Sequence, residues 1–223
     1  MFDKDRFATT GAAHLSAQAL PVMADLFDAL TDLPSGHPGL RLRGIPALAA
    51  LIGKSSVFGD IAEQAIGPSA IPVRALLFDK SATANWSLGW HQDRTICVRE
   101  KIATPGYGPW TIKQGAHHVA PPIELLEGMI TMRVHLDDVP EENAPLLVAP
   151  GSHRLGLIRE PEIATTVQRC GTLACTAISG DVWLYSTPIL HASEAARIPR
   201  RRRVLQIDYA NTSLPNNLVW AGI

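Results

Sequence analysis

The sequence predicts an α+β fold that is mainly β, with helices first and a sandwich or barrel of strands after them. Three observations predict it. Apolar residues recur at helical spacing within the first 70 of the 223 residues, and short apolar and β-branched runs fill the stretch from residue 71 to 210. Seventeen Gly and 17 Pro supply the turns that separate many short elements.

The elements follow in order. Leu20, Met23, Leu26, Phe27 and Leu30 form the stripe of an amphipathic helix, with Pro21 in its first turn and Pro34-Ser35-Gly36 at its end. A second helical piece covers Pro46 to Ile52. A third starts from Ser55 or Ser56 as N-cap and runs through Val57, Ile61 and Ile66 to Gly67. Strands are expected at Val73–Phe78, Thr95–Val98, Ile130–Leu136, Leu146–Ala149, Leu173–Ile178, Val182–Tyr185, Ile189–Ser193 and Val204–Tyr209. Short helices are expected at Glu124–Met129 and within Pro161–Arg169, while the stretch from Gly106 to Pro122 reads as a loop-rich insertion. With no repeat and no linker, the expectation is one domain over 1–223, residues 1–70 being mostly helical support for a β core at 71–210.

Composition removes several function classes. Hydrophobic residues make up 46% and charged residues 18%, below the roughly 25% of an average soluble domain, which excludes a disordered, charge-driven chain. Twenty Lys+Arg against 21 Asp+Glu give a net charge of −1, so no global attraction to nucleic acid or an anionic membrane is implied. The basic run Arg200–Arg203 lacks the second patch or aromatic platform that nucleic acid would need. Cys97, Cys170 and Cys175 form no CxxC pair, the N-terminus is charged, and no apolar run approaches the roughly 20 residues of a membrane span. These features lead us to expect a cytoplasmic protein with neither nucleic acid nor membrane as partner.

The chemistry is carried by His91-Gln92-Asp93, the distant His191, and Arg202. In an extended strand, residues i and i+2 point the same way, so His91 and Asp93 can present an imidazole and a carboxylate to one point. His191 would complete a two-histidine, one-carboxylate facial set, which binds Fe(II) and leaves coordination positions open. The plainer reading is a chance HxD tripeptide with an unrelated histidine. Context favours the first: His191 ends an apolar strand, Ser193 shares its face, and Arg202 opens the next strand. A guanidinium there can grip a carboxylate bidentately at a fixed distance from the metal. Alternation places Arg202 with Val204 and Gln206, and Arg200 is the second candidate for the clamp. Gln92 should point away from the metal, Trp86 and Trp90 are core or pocket wall, and His153 belongs to a structural turn. Thr131, Arg133 and His135 share one face of the Ile130–Leu136 strand, a polar face that would line either solvent or the barrel interior. His117 and His118 are substrate contacts or surface loop residues.

The sequence resembles the phytanoyl-CoA dioxygenase family of Fe(II)/2-oxoglutarate oxygenases. The resemblance is carried by Asn85-Trp86-Ser87-Leu88-Gly89-Trp90-His91-Gln92-Asp93, by Leu136-Asp137-Asp138-Val139-Pro140-Glu141-Glu142-Asn143-Ala144-Pro145-Leu146, by Pro150-Gly151-Ser152-His153, and by Gly180-Asp181-Val182 leading to His191. It implies a double-stranded β-helix (a cupin-like jelly roll) core with flanking N-terminal helices. It further implies iron held by His91, Asp93 and His191, and 2-oxoglutarate anchored by Arg202, with Ser193 as helper. It also favours the interior for the polar face above, with Arg133 or Thr131 near the co-substrate. With O₂, such an enzyme hydroxylates a small molecule and releases succinate and CO₂. Ala144 departs from the Gly often found after the Asn, and the presence of Asp93 favours hydroxylation over halogenation. The alternative is a cupin-like metal-binding protein without oxygenase activity, a class that generally uses more histidines and needs no clamp arginine.

Overall fold

A computed structural model describes residues 2–35 and 39–223. The chain opens with α1 (Lys4–Thr10), whose first turn is capped by the Asp3 carboxylate accepting from the Arg6 amide, and continues into β1 (Ala12–Leu15). Helix α2 (Met23–Leu30) buries Met23, Leu26 and Leu30; Leu20 lies before it in a 3₁₀ turn and stays exposed. Of the expected helix end, Gly36 lies outside the described residues. Strand β2 (Leu40–Leu42), α3 (Pro46–Ile52) and α4 (Val57–Ile66) follow, the last capped by the Ser56 hydroxyl accepting from the Gly59 amide.

The strands then come in close order: β3 (Ile71–Lys80), β4 (Leu88–His91), β5 (Ile96–Val98), β6 (Trp110–Lys113) and β7 (Ala116–Val119). After α5 (Ile123–Glu127) come β8 (Ile130–His135), β9 (Leu146–Val148), α6 (Ile163–Cys170), β10 (Leu173–Cys175), β11 (Val182–Ser186), β12 (His191–Ser193) and β13 (Arg202–Ala210). No described helix is long and apolar enough to cross a membrane.

Two antiparallel sheets form the jelly roll. The major sheet runs β1-β11-β8-β13-β3-β2 and the minor sheet β10-β9-β12-β4. Between them Trp183 and Tyr185 of β11 pack on Leu146, Val148 and Cys175 of the minor sheet. On its outer face the major sheet presents Ala75, Leu77, Met132, Val134, Val182, Leu184, Leu205 and Ile207 to the buried residues of α2, α3 and α4. Alternation thus sends every second residue of these strands under the helices and every other one into the barrel.

Two expectations need correction. The first 70 residues are not only helical support, because β1 pairs with β11 and β2 with β3, closing both edges of the major sheet. Strands of four and three residues carry too little alternation to stand out among helices. The stretch 106–122 is not loop throughout: it holds the hairpin β6–β7, which pairs with β5. Its two-residue turn uses Gln114 and Gly115, both at positive φ (49° and 73°), the geometry that Asn-Gly signals more openly.

Candidate active site

His91 ends β4, Asp93 follows it by two residues in irregular chain, and His191 opens the neighbouring strand β12. His91 and His191 are cross-strand partners, which brings their rings to 4.3 Å between centroids. The His91 Nδ1–H donates to the Gly89 carbonyl (2.8 Å) and the His191 Nδ1–H to the Ile189 carbonyl (2.9 Å), leaving Nε2 of each ring as a free lone pair. One donor atom from each of His91, Asp93 and His191 lies within 4.8 Å of the others.

The electrostatics suit a cation there. Burial pushes the His191 imidazolium down to about 4, so the ring is neutral at pH 7 and can donate a lone pair. For Asp93 burial works the other way, but Arg74 foremost and then the two imidazoles hold its carboxyl below the usual carboxylate range. A negative carboxylate and two imidazoles whose Nδ1–H groups are engaged by backbone carbonyls form a donor set that fits Fe(II).

The same three residues line a cavity of about 130 Å³ together with Phe78, Lys80, Trp86, Arg133, Ser193, Arg202 and Gln206. Buried Arg202 donates through Nη1 to the Ala144 carbonyl, while its Nε has no partner among the described residues. Buried Arg133 donates through Nη1 to Gln206 Oε1 (3.1 Å), sits 5.0 Å from the Phe78 ring, and likewise keeps an unpartnered Nε. Lys80 donates to the Trp86 carbonyl (2.6 Å), Ser193 Oγ (3.0 Å) and the Glu194 carbonyl (3.0 Å). Burial, then Arg202 and Arg133, push its ammonium down to about 7. Two guanidinium groups with spare buried donors, beside a metal-type donor set, fit a dicarboxylate that reaches the metal.

The structure therefore brings His91, Asp93, His191, Arg202, Ser193 and Arg133 to one cavity. It does not bring Thr131 there: the Thr131 hydroxyl is fully buried against the Thr187 hydroxyl (3.2 Å) and lies off the cavity wall. Arg200, the second clamp candidate, is exposed on the outside of the barrel, because the irregular chain before β13 carries it away. Its neighbours are not simply solvated: Arg201 pairs with Asp79, and Arg203 forms a bidentate pair with Asp137 (2.7 and 2.9 Å). Gln92 points away from the cluster, as expected, and ties Gly156, Ile158 and Pro188 together. His118 is wholly buried on β7 and not a loop residue. Arg74, Phe78, Lys80 and Asp208 were missed by sequence reasoning, although alternation through β3 and β13 puts them on the face of Arg202.

Ala144 occupies the left-handed region (φ 53°), which is the physical reason for glycine at that position. Its carbonyl is the acceptor that orients Arg202.

A jelly roll carrying two histidines, a carboxylate and a cation-rich cavity has the build of a non-haem iron oxygenase. Residues 16–204 match the family described as phytanoyl-CoA dioxygenase (PhyH), and the chain belongs to it, an enzyme family of non-haem Fe(II)/2-oxoglutarate-dependent oxygenases. No curated protein matches the sequence. Among solved structures, the apoform of EctD from S. alaskensis superposes with a TM-score of 0.68 at 17% identity, covering 99% of this chain and 79% of that one. AviO1 from Streptomyces viridochromogenes Tue57 gives 0.60 at 21% identity, covering 96% and 98%. HygX from Streptomyces hygroscopicus, with nickel, 2-oxoglutarate and hygromycin B bound, gives 0.63 at 16% identity, covering 95% and 88%. At these identities the likeness is one of fold.

Proposed function

We propose that the chain is a single-domain Fe(II)- and 2-oxoglutarate-dependent dioxygenase that hydroxylates a small molecule. In this reading His91, Asp93 and His191 hold the iron through two Nε2 atoms and a carboxylate oxygen. Iron bound there, with 2-oxoglutarate and O₂, supplies the oxidising power for C–H hydroxylation, and the co-substrate leaves as succinate and CO₂.

The protein's own groups position and exclude. Arg202, turned by the Ala144 carbonyl, grips the distal carboxylate of 2-oxoglutarate. Ser193 is held toward the cavity by Lys80 and offers a second contact. Arg133 neutralises charge along the co-substrate's length, while Phe78 and Leu146 keep the wall dry. The cavity's volume of about 130 Å³ falls well below the roughly 300–1,000 Å³ of a drug-sized site. It therefore houses metal and co-substrate, and the prime substrate approaches from the mouth, where Leu88 is exposed.

The observation that carries this reading is the sharing of one small cavity by the donor trio and two guanidinium groups with spare donors. The fold relative EctD, solved with bound Fe and with 2-oxoglutarate, supports it. The test is a succinate-release screen over metabolite pools with Fe(II) and ascorbate. Turnover is expected from the wild-type chain and none from Asp93→Ala or His191→Ala. Full 2-oxoglutarate consumption by either variant would overturn the iron assignment, and tight metal binding with no effect of 2-oxoglutarate would favour the cupin-like alternative.

A further inference from the structure

The three proposed ligands are not held alike. His91 and His191 belong to paired strands of the minor sheet, and their rings are fixed by backbone carbonyls. Asp93 lies in irregular chain between β4 and β5, so no strand ladder sets its carboxylate. What it faces is Arg74 of β3, whose Nη2 stands 3.7 Å from Asp93 Oδ2.

Arg74 is itself held by the register of the major sheet. It is the cross-strand partner of Asp208 on β13, and its Nε donates to Asp208 Oδ2. Asp208 Oδ1 accepts from Gln206 Nε2 (3.2 Å), and Gln206 Oε1 accepts from Arg133, its own cross-strand partner on β8. Asp208, Gln206 and Arg133 are all buried, and the Arg74 side chain is only 14% exposed. A continuous buried chain of polar contacts thus runs from the loop carboxylate to an arginine of the co-substrate cavity.

We propose that Arg74 is the positioning residue for Asp93, with Asp208 holding the guanidinium in place and balancing its charge. The inference rests on the reading of Asp93 as a metal ligand. A cation this close to a divalent metal would by itself weaken metal binding. An arginine there is tolerable because Asp208 neutralises it, and useful because its planar fork offers donors to both carboxylates at once. Positioning therefore predicts a loss of affinity when the pair is removed, whereas charge alone predicts unchanged or tighter binding.

The test is Co(II) titrated into metal-free protein, read by calorimetry and by the visible d–d spectrum, with the melting temperature of each apo variant as the folding control. Groups that orient ligands typically change metal affinity by about 10- to 100-fold. Arg74→Met/Asp208→Asn, which removes both charges and leaves no lone buried carboxylate, is expected to lose affinity in that range and to shift the Co(II) spectrum. Arg74→Lys keeps the charge and should recover part of the affinity. Unchanged or tighter Co(II) binding by the folded double variant overturns the positioning role. If Asp93→Ala also binds Co(II) as the wild type does, the metal reading itself falls; if only Asp93→Ala loses binding, that reading stands and this one does not.

Discussion

The two faces of the major sheet are built from the same strands and differ at every step. On β13, Leu205 and Ile207 go outward under the helices, while Arg202, Gln206 and Asp208 go inward. On β8, Met132 and Val134 go outward, and Thr131, Arg133 and His135 inward. Both faces are buried, so burial alone separates nothing. The outer face gains from apolar area removed from water, whereas the inner one holds guanidinium and imidazole groups whose pairing among the described residues is incomplete. One face carries the stability with which the other is kept poised for a ligand.

The largest test of that division is Leu205→Ala. Leu205 is fully buried in the cluster shared with α2, α3 and α4, and truncating such a leucine costs about 2–5 kcal/mol. For a chain of this size that is a fall in melting temperature of roughly 4–20 °C. The 2-oxoglutarate requirement of the folded enzyme should not change; a raised requirement would show that the faces are not separable.

The converse is Arg202→Ala on the inner face of the same strand. A lost hydrogen-bonded charge of about 1.5–3 kcal/mol raises the 2-oxoglutarate KM by about 10- to 150-fold. Arg200→Ala should leave it unchanged. If Arg200→Ala has the effect and Arg202→Ala does not, the clamp lies on the outer chain and the comparison fails at its central residue.

How much of this was legible follows from the same alternation. Residues whose period matches their element announced themselves: the helical stripe of Met23, Leu26 and Leu30 and the strand expected at 182–185. The trio His91, Asp93 and His191 was legible as a ligand set rather than through strand period, because Asp93 lies in irregular chain. The polar face of β8 also stood out, but alternation left solvent and barrel interior both open, and only the family resemblance favoured the interior. Thr131 failed because sharing a face does not fix depth; its hydroxyl meets Thr187 before it reaches the cavity. Arg74 and Lys80 were hidden because their roles depend on cross-strand register with Asp208 and Arg202, which are more than 100 residues away. The hairpin at 110–119 was hidden by a Gln-Gly turn, where Asn-Gly would have marked it.

The smallest effect concerns acid. His135 is buried on the inner face, neither ring nitrogen has a partner among the described residues, and burial, then Arg133 and Arg202, push its imidazolium down to about 3. Above about pH 6.5 the ring is neutral in folded and unfolded chains alike, and its contribution does not vary. Below that, the unfolded chain takes up a proton that the fold refuses, so stability falls as pH drops toward 3. At pH 5 the loss from this one group amounts to at most about 2 kcal/mol. His118 and His191, both held at about 4, act in the same direction. His135→Leu removes the proton acceptor while keeping a buried side chain, so the stability difference between variant and wild type should move in the variant's favour between pH 7.5 and pH 5. Denaturant unfolding of the apoprotein at the two pH values measures it. Parallel curves would mean that His135 is not held neutral by the fold. A widening gap would mean that the inner face, unlike the apolar outer one, has its stability tied to pH by the burial that keeps its imidazoles unprotonated.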